Sequence, residues 1–202
     1  RVEGAIPTIK RKIPLTGRAL VAMRREGAGD EEMVADILYN DLDNMIDAVH
    51  ARVEAMRIEA LHSGKLALAE NGVKMTVDYG VPSAHQETLT GDDKWSNEKA
   101  SPIQCMQEWV QTIRAATGIT PTRALTSSEV ITHLMKNTEI RQLIYGDLGG
   151  ARAITRAQLN ELLVQMELPQ LLAYDEMVRR QKADGTYETV RFLPSNKFIL
   201  LP

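Results

Sequence analysis

His50 and Glu54 stand four residues apart, and His62 follows further along the same polar and apolar run. On a helix, positions four apart lie one turn from each other on one face. A histidine and a carboxylate so placed could hold a metal ion or relay a proton. With His62 as a third ligand, such a site would make the chain a metal-dependent hydrolase, provided that a fourth group and a pocket converge on it. The H-E-x-x-H spacing that aims two histidines at one metal is absent, and His50 and His62 are not spaced to share a face closely. Ordinary surface histidines are the simpler reading.

The remaining candidates are weaker. His85 falls in a polar stretch and His133 inside an amphipathic segment, neither with a recognisable partner. Cys105 is the single cysteine and precedes an apolar helix position, as a buried inert thiol would. Asp92 and Asp93 stand beside Lys94 in a turn, Gly149 and Gly150 lack the spacing of a phosphate loop, and the acidic run at 30–32 lacks the alternation of a calcium loop. Met33, Met45 and Met56 fit a packing stripe, through which a long-helix adaptor could dimerise. No catalytic residue, cofactor-binding residue or metal ligand is assigned, and no cofactor is expected.

Composition narrows the class. The chain has 202 residues, 24 Lys and Arg against 27 Asp and Glu, and a net charge of −3. The basic residues are scattered and aromatic residues are few, which argues against a dedicated nucleic-acid binder. A lone cysteine excludes an intrachain disulfide and a cysteine-rich zinc cluster, and suits a reducing compartment. The longest apolar runs are far too short to span a bilayer, so no membrane partner is expected. The opening at Arg1 and the stop at Pro202 suggest an internal portion of a longer polypeptide.

The elements that would position these residues can be read in order. Residues 5–23 hold two prolines and a glycine and read as extended or looping chain. Asp30 is a candidate N-cap for a helix running to Ser63 without Pro or Gly. In it Val34, Leu38, Leu42, Met45, Val49, Val53, Met56 and Ala60 form one apolar stripe, closed by Gly64. At 1.5 Å per residue it would reach roughly 50 Å. Val73, Met75, Val77 and Tyr79 share a face of a half-buried strand over 73–79. TGDD at 90–93 signals a turn. Ser101 and Pro102 open a second helix with Ile103, Met106, Val110 and Ile113 on its apolar face and Gly118 at its end.

From there the pattern becomes α/β. A strand over 122–125 leads into TSSE at 126–129, a capping box for the helix VITHLMKN. EIRQLIY is a further helical turn ending at Gly146. GDLGGAR at 146–152 is a glycine-rich loop expected to be mobile in a free subunit. TRAQ at 155–158 caps LNELLVQM. QLLAY reads as a buried strand, MVRRQ and YETVRF as a hairpin about Asp184 and Gly185, and KFILL as the last strand.

Taken together and in this order, the features resemble the major capsid protein family of lambda-like tailed phages, the protein E family. The matching stretches are EAMRIEALHSGKLAL, with Glu54, Gly64 and Lys65, and VDYGVPSAHQETLTGDDKWS, with Asp78, Gly80, His85 and Trp95. They continue with SPIQCMQEWVQTIRAATGITPTRALTSSEV, with Pro102, Trp109, Gly118, Pro121 and Ser127, and with MKNTEIRQLI. The last is LLAYDEMVRRQKADGTYETVRFLPSNKFILL, with Tyr174, Asp175, Asp184, Gly185 and Pro194. Any one alone would be weak.

The resemblance implies an α+β chain with the Hong Kong 97-type capsid fold. Residues 1–100 would form a peripheral domain with the end of an extended loop, a spine helix over 30–63 and a strand at 73–79. Residues 101–202 would form an α/β axial domain, with Trp95 and Trp109 pinning the passage between the two. The family assembles into hexamers and pentamers of an icosahedral shell around double-stranded DNA and is not enzymatic. Its partners would be its own copies, with scaffold, portal and decoration proteins, and packaged DNA in weak non-specific contact. Its place would be the virion, and the host cytoplasm during assembly.

Overall fold

The computed structural model describes residues 30–70, 73–146, 152–182 and 185–202, the side chains of 30–41, 70, 73 and 181 excepted. The looping segment expected at 5–23, residues 147–151 of the glycine-rich loop and Asp184 of the hairpin turn lie outside the described residues. The chain separates into two units, residues 1–57 with 67–76 and residues 58–66 with 77–202.

α1, Asp30–Ser63, is the long helix that the uninterrupted run predicts, with Asp30 as its first helical residue rather than its cap. It closes at Gly64, where φ is +67° and the N–H donates to Ala60 O at 2.9 Å. A Cβ at this position would also lie 2.9 Å from Val81 Cγ2. Position 64 is therefore restricted twice, by its left-handed backbone and by a close neighbour. The apolar stripe is shallower than its spacing suggests. Met45, Val49, Val53, Met56 and Ala60 are half-buried, Leu42 is exposed, and Val34 and Leu38 fall where side chains are not described. The deepest of the described α1 side chains is Ile58, 3% exposed and off the stripe. Ile58 is also the first residue of the second unit.

β1, Lys65–Glu70, and β2, Val73–Asp78, form a two-stranded sheet. β2 is the expected strand; β1 was not anticipated. Met75 and Val77 are half-buried against exposed Lys74 and Thr76, the alternation a one-sided strand requires. Tyr79 departs from it: it lies past the strand end and is exposed. The base of the ribbon is held by Tyr79 N–H donating to Gly64 O at 3.0 Å and by a 3.1 Å ion pair between Lys65 and Asp78.

The rest of the second unit is built on a three-stranded sheet. β3, Arg123–Thr126, lies between parallel β4, Gln170–Ala173, and antiparallel β7, Phe198–Leu201. Ala124 stands opposite Leu171 and Leu200, and Leu125 opposite Leu172 and Ile199. The helices are α2, Pro102–Thr117, α3, Ser128–Lys136, α4, Thr138–Tyr145, and α5, Arg156–Gln165. Met106, Ile131, Leu134, Ile140, Leu159 and Leu163 are fully buried with Ala124 in the core of this unit. Leu171 joins them, while Leu172 points the other way and is 45% exposed. The expectation of a buried strand over QLLAY is thus corrected: β4 is an edge strand with one covered face.

Its outer edge is occupied by a side chain. Asn160 on α5 accepts from Leu171 N–H at 2.9 Å and donates to Leu171 O at 3.4 Å, so an amide stands where another strand's peptide would. The last pair, β5, Met177–Gln181, and β6, Tyr187–Arg191, forms an antiparallel ribbon of its own with Gly185 at φ +84° in the turn.

Burial sets the first prediction. Ile58→Ala removes a nearly fully enclosed side chain and is expected to cost about 2–4 kcal/mol, whereas Val49→Ala on the half-buried stripe should cost about 1 kcal/mol or less. Urea unfolding of the two variants checks this. Equal losses would mean that the stripe, not position 58, carries the helix.

Candidate functional site

The residues that could have formed a metal site do not converge. His50 is exposed, Glu54 lies 3.4 Å from Arg57, and His62 is half-buried. Burial and then the charge of Lys197 push the His62 imidazole below its ordinary value, opposite to what a proton-holding partner would do. Among the described residues, no three His, Cys, Asp or Glu side chains are grouped as a metal ion would need. His85 closes a short 3₁₀ turn over Ser83–His85, and His133 sits half-buried in α3.

What the second unit does bring together is an aromatic cluster. Trp95, only 7% exposed, packs 5.5 Å from Trp109 and edge-on to Phe198 at 4.9 Å between ring centroids, with Trp109 5.9 Å from Phe198. These contacts join the segment before α2, α2 itself and β7. Trp109 Nε1 donates to the Glu87 carboxylate. Trp95 Nε1 is buried without a well-formed hydrogen bond and interacts with the Cys105 thiol, a weak acceptor. That thiol is pushed up by burial and by the nearby carboxylates of Glu108, Glu87 and Asp93, which disfavours its thiolate.

A polar corner lies beside the cluster. Asn137 is fully buried; its Oδ1 accepts from Ile140 N–H at 3.2 Å, capping α4, and its Nδ2 donates to Ala100 O at 2.8 Å. Thr138 N–H donates to Glu98 O at 2.8 Å. The approach to α2 is thereby fixed to the start of α4. Ser101 precedes Pro102 as expected but makes no side-chain cap bond. The capping box expected at 126–129 is also displaced. Ser127, not Thr126, accepts from Val130 N–H at 3.1 Å. Thr126 is the last residue of β3 and its hydroxyl donates instead to Lys197 O at 2.7 Å. The box at Thr155 and Gln158 forms as read.

The charged group that sequence reading missed is Asp175. Its carboxylate accepts from Ser128 N–H at 3.2 Å at the start of α3 and pairs with Arg191 at the end of β6, while Arg156 donates to the Ser128 hydroxyl at 3.2 Å. The partners lie 16 and 47 residues away, so no local motif could reveal them. The Ser128 hydroxyl bond holds Asp175 below the usual carboxylate value, opposed by partial burial and reinforced by the Ser128 N–H and the charges of Arg191 and Arg156. A depressed native pKa favours the ionised form in the fold. Its stabilisation is therefore complete above the ordinary carboxylate value and is lost as pH falls through the native one. Asp175→Asn is expected to destabilise the chain by about 1 kcal/mol at neutral pH, the gap closing below pH of about 4. Thermal melts across pH check it; a gap that stays constant into acid would assign the loss to packing.

The chain matches the family model of phage major capsid protein E over residues 1–202. None of the curated proteins matches it in sequence. Among solved structures it is similar to a prophage protein of Escherichia coli CFT073 described as a capsid protein. There the TM-score is 0.56 at 18% identity, covering 96% of this chain and 54% of that one. It is also similar to a phage-related protein of Bordetella bronchiseptica RB50, with a TM-score of 0.52 at 11% identity, covering 79% of this chain and 45% of that one. The chain thus spans about half the length of these structures, and at such identities the likeness is one of fold. The chain belongs to the phage major capsid protein E family, whose members are structural proteins and not enzymes.

Proposed function

We propose that the chain is the head-building subunit of a tailed phage or prophage, self-assembling into hexamers and pentamers of an icosahedral shell that encloses double-stranded DNA. The observation that carries this reading is the family match over all 202 residues. The mixed helix-and-sheet fold shared with a prophage capsid protein supports it. On this reading the fold is of the Hong Kong 97 type. Residues 1–100, with the spine helix at 30–63 and the strand at 73–79, make the peripheral domain, and residues 101–202 the axial domain.

The working surfaces are then contacts between copies rather than a catalytic cleft. Scaffold, portal and decoration proteins would be further partners, the host cytoplasm the place of assembly and the virion its destination. Packaged DNA would meet the shell through weak, non-specific contact. The net charge of −3 suits this, because a strongly basic lining would hold DNA against packaging and ejection. Among the described residues, no helix is long and apolar enough to cross a membrane.

Negative-stain microscopy of the full-length protein after expression tests the proposal. Shells, tubes or rings are the expected outcome. A discrete two-fold dimer at every concentration would overturn it in favour of a long-helix adaptor.

A further inference from the structure

One face of the ribbon of β5 and β6 is exposed at Met177, Arg179 and Tyr187. Met177 is 49% exposed and Tyr187 57% exposed, and the Arg179 guanidinium lies 4.5 Å over the Tyr187 ring. The opposite face is internally satisfied: Val178 stands against Val190, and Glu188 takes both Arg180 and, at 3.2 Å, Lys182. Arg179 has no such carboxylate partner among the described residues. A two-stranded ribbon is marginal by itself, and Met, Tyr and Arg are the side chains that concentrate binding energy at protein interfaces.

Elsewhere in the same unit the charge has the opposite sign. Glu87, Asp93 and Glu108 gather about Cys105, whose thiol they help to push up, and Asp92 stands beside Asp93 in the turn Gly91–Asp93. All four are exposed. Glu87 and Glu108 accept hydrogen bonds only from the neutral Trp109 and Gln104, and none of the four enters an ion pair among the described residues. The chain therefore carries a cationic, partly apolar ribbon and an acidic turn followed by Lys94, and the carboxylates of that turn form no ion pair among the described residues.

We propose that the ribbon face of Met177, Arg179 and Tyr187 docks on the acidic turn around Glu87, Asp92, Asp93 and Glu108 of a second copy of this chain. Two different patches of one surface meeting in this way make a head-to-tail contact, the kind that closes into rings when repeated by rotation. Charge complementarity favours a second copy, whose acidic turn offers the carboxylates that Arg179 lacks within its own chain. This inference rests on the shell-building reading above.

Charge exchange in the full-length protein tests it. Arg179→Glu and Asp93→Arg should each lower the assembled fraction about tenfold, by sedimentation and negative stain, and the double variant should recover most of it. Tyr187→Ala should also weaken assembly, while Lys136→Glu, at a residue of neither patch, should assemble as the wild type does. Thermal melts of the unassembled variants should match the parent. If the single variants assemble normally, or the double variant is as defective as either single, the docking is overturned while wild-type particles still uphold the shell. If Arg179→Glu fails but Asp93→Arg assembles normally, the ribbon meets something other than this acidic turn, which overturns the proposal too. A wild type that forms no particles would sink the shell reading first.

Discussion

Asn137 is fully buried, and a buried amide must find its hydrogen-bond partners inside the protein or lose the desolvation free energy of each unpaired group. It finds them on both sides at once, in the Ile140 N–H at the start of α4 and in Ala100 O just before α2. That double use turns one side chain into the corner of the second unit. It fixes where α4 begins, and it fixes the chain that carries Trp95 into the core. The Trp95, Trp109 and Phe198 rings then bring α2 against β7, so a polar constraint and an aromatic one define the same corner. Neither could be exchanged for the other, because rings supply area without direction and the amide supplies direction without area.

From that corner the sheet inherits its asymmetry. Ala124, Thr126 and Leu171 are buried, while Leu172 on the other face of β4 stays exposed. β4 is an edge, and edges are where unrelated copies can add strands indiscriminately. Asn160 meets that hazard by placing its amide on the Leu171 peptide group. For a protein whose family builds shells, suppressing wrong pairings between copies matters as much as favouring right ones, since every misplaced contact is repeated at high local concentration.

How much of this could be read in the sequence depends on how local the cause was. α1 was legible because more than thirty residues without Pro or Gly leave few alternatives to a helix. α2 was legible from Pro102 and Gly118 at its ends, and α5 from Thr155 and Gln158, whose reciprocal bonds span three residues. The cap of α3 was misplaced by one position. Thr126 and Ser127 are equally good caps in isolation, and Lys197, 71 residues away from Thr126, decides between them by claiming the Thr126 hydroxyl. The same remoteness hid the Asp175 network. β1 was passed over because KLALAE alternates only between Leu and Ala, a weak contrast beside the Val and Met of β2. The depth of Ile58 was missed because a stripe averages over a whole helix, whereas burial here is concentrated at one position off the stripe.

Three titratable groups of the second unit, Asp175, Cys105 and His62, are perturbed by contacts within the fold. A catalytic group must be perturbed and yet within reach of a substrate. Asp175 is perturbed toward the ionised form by Ser128 and the arginines, which use its oxygens for structure. Cys105 and His62 are perturbed toward their neutral forms by burial, which disfavours the thiolate and the imidazolium alike. The Asp175 shift adds stability to the ionised fold, whereas the Cys105 and His62 shifts reflect the cost of charging a buried group. On the proposed shell-building reading, charges that are exposed and without an intramolecular partner would act between copies, where many modest contacts repeated by symmetry add up to a durable assembly.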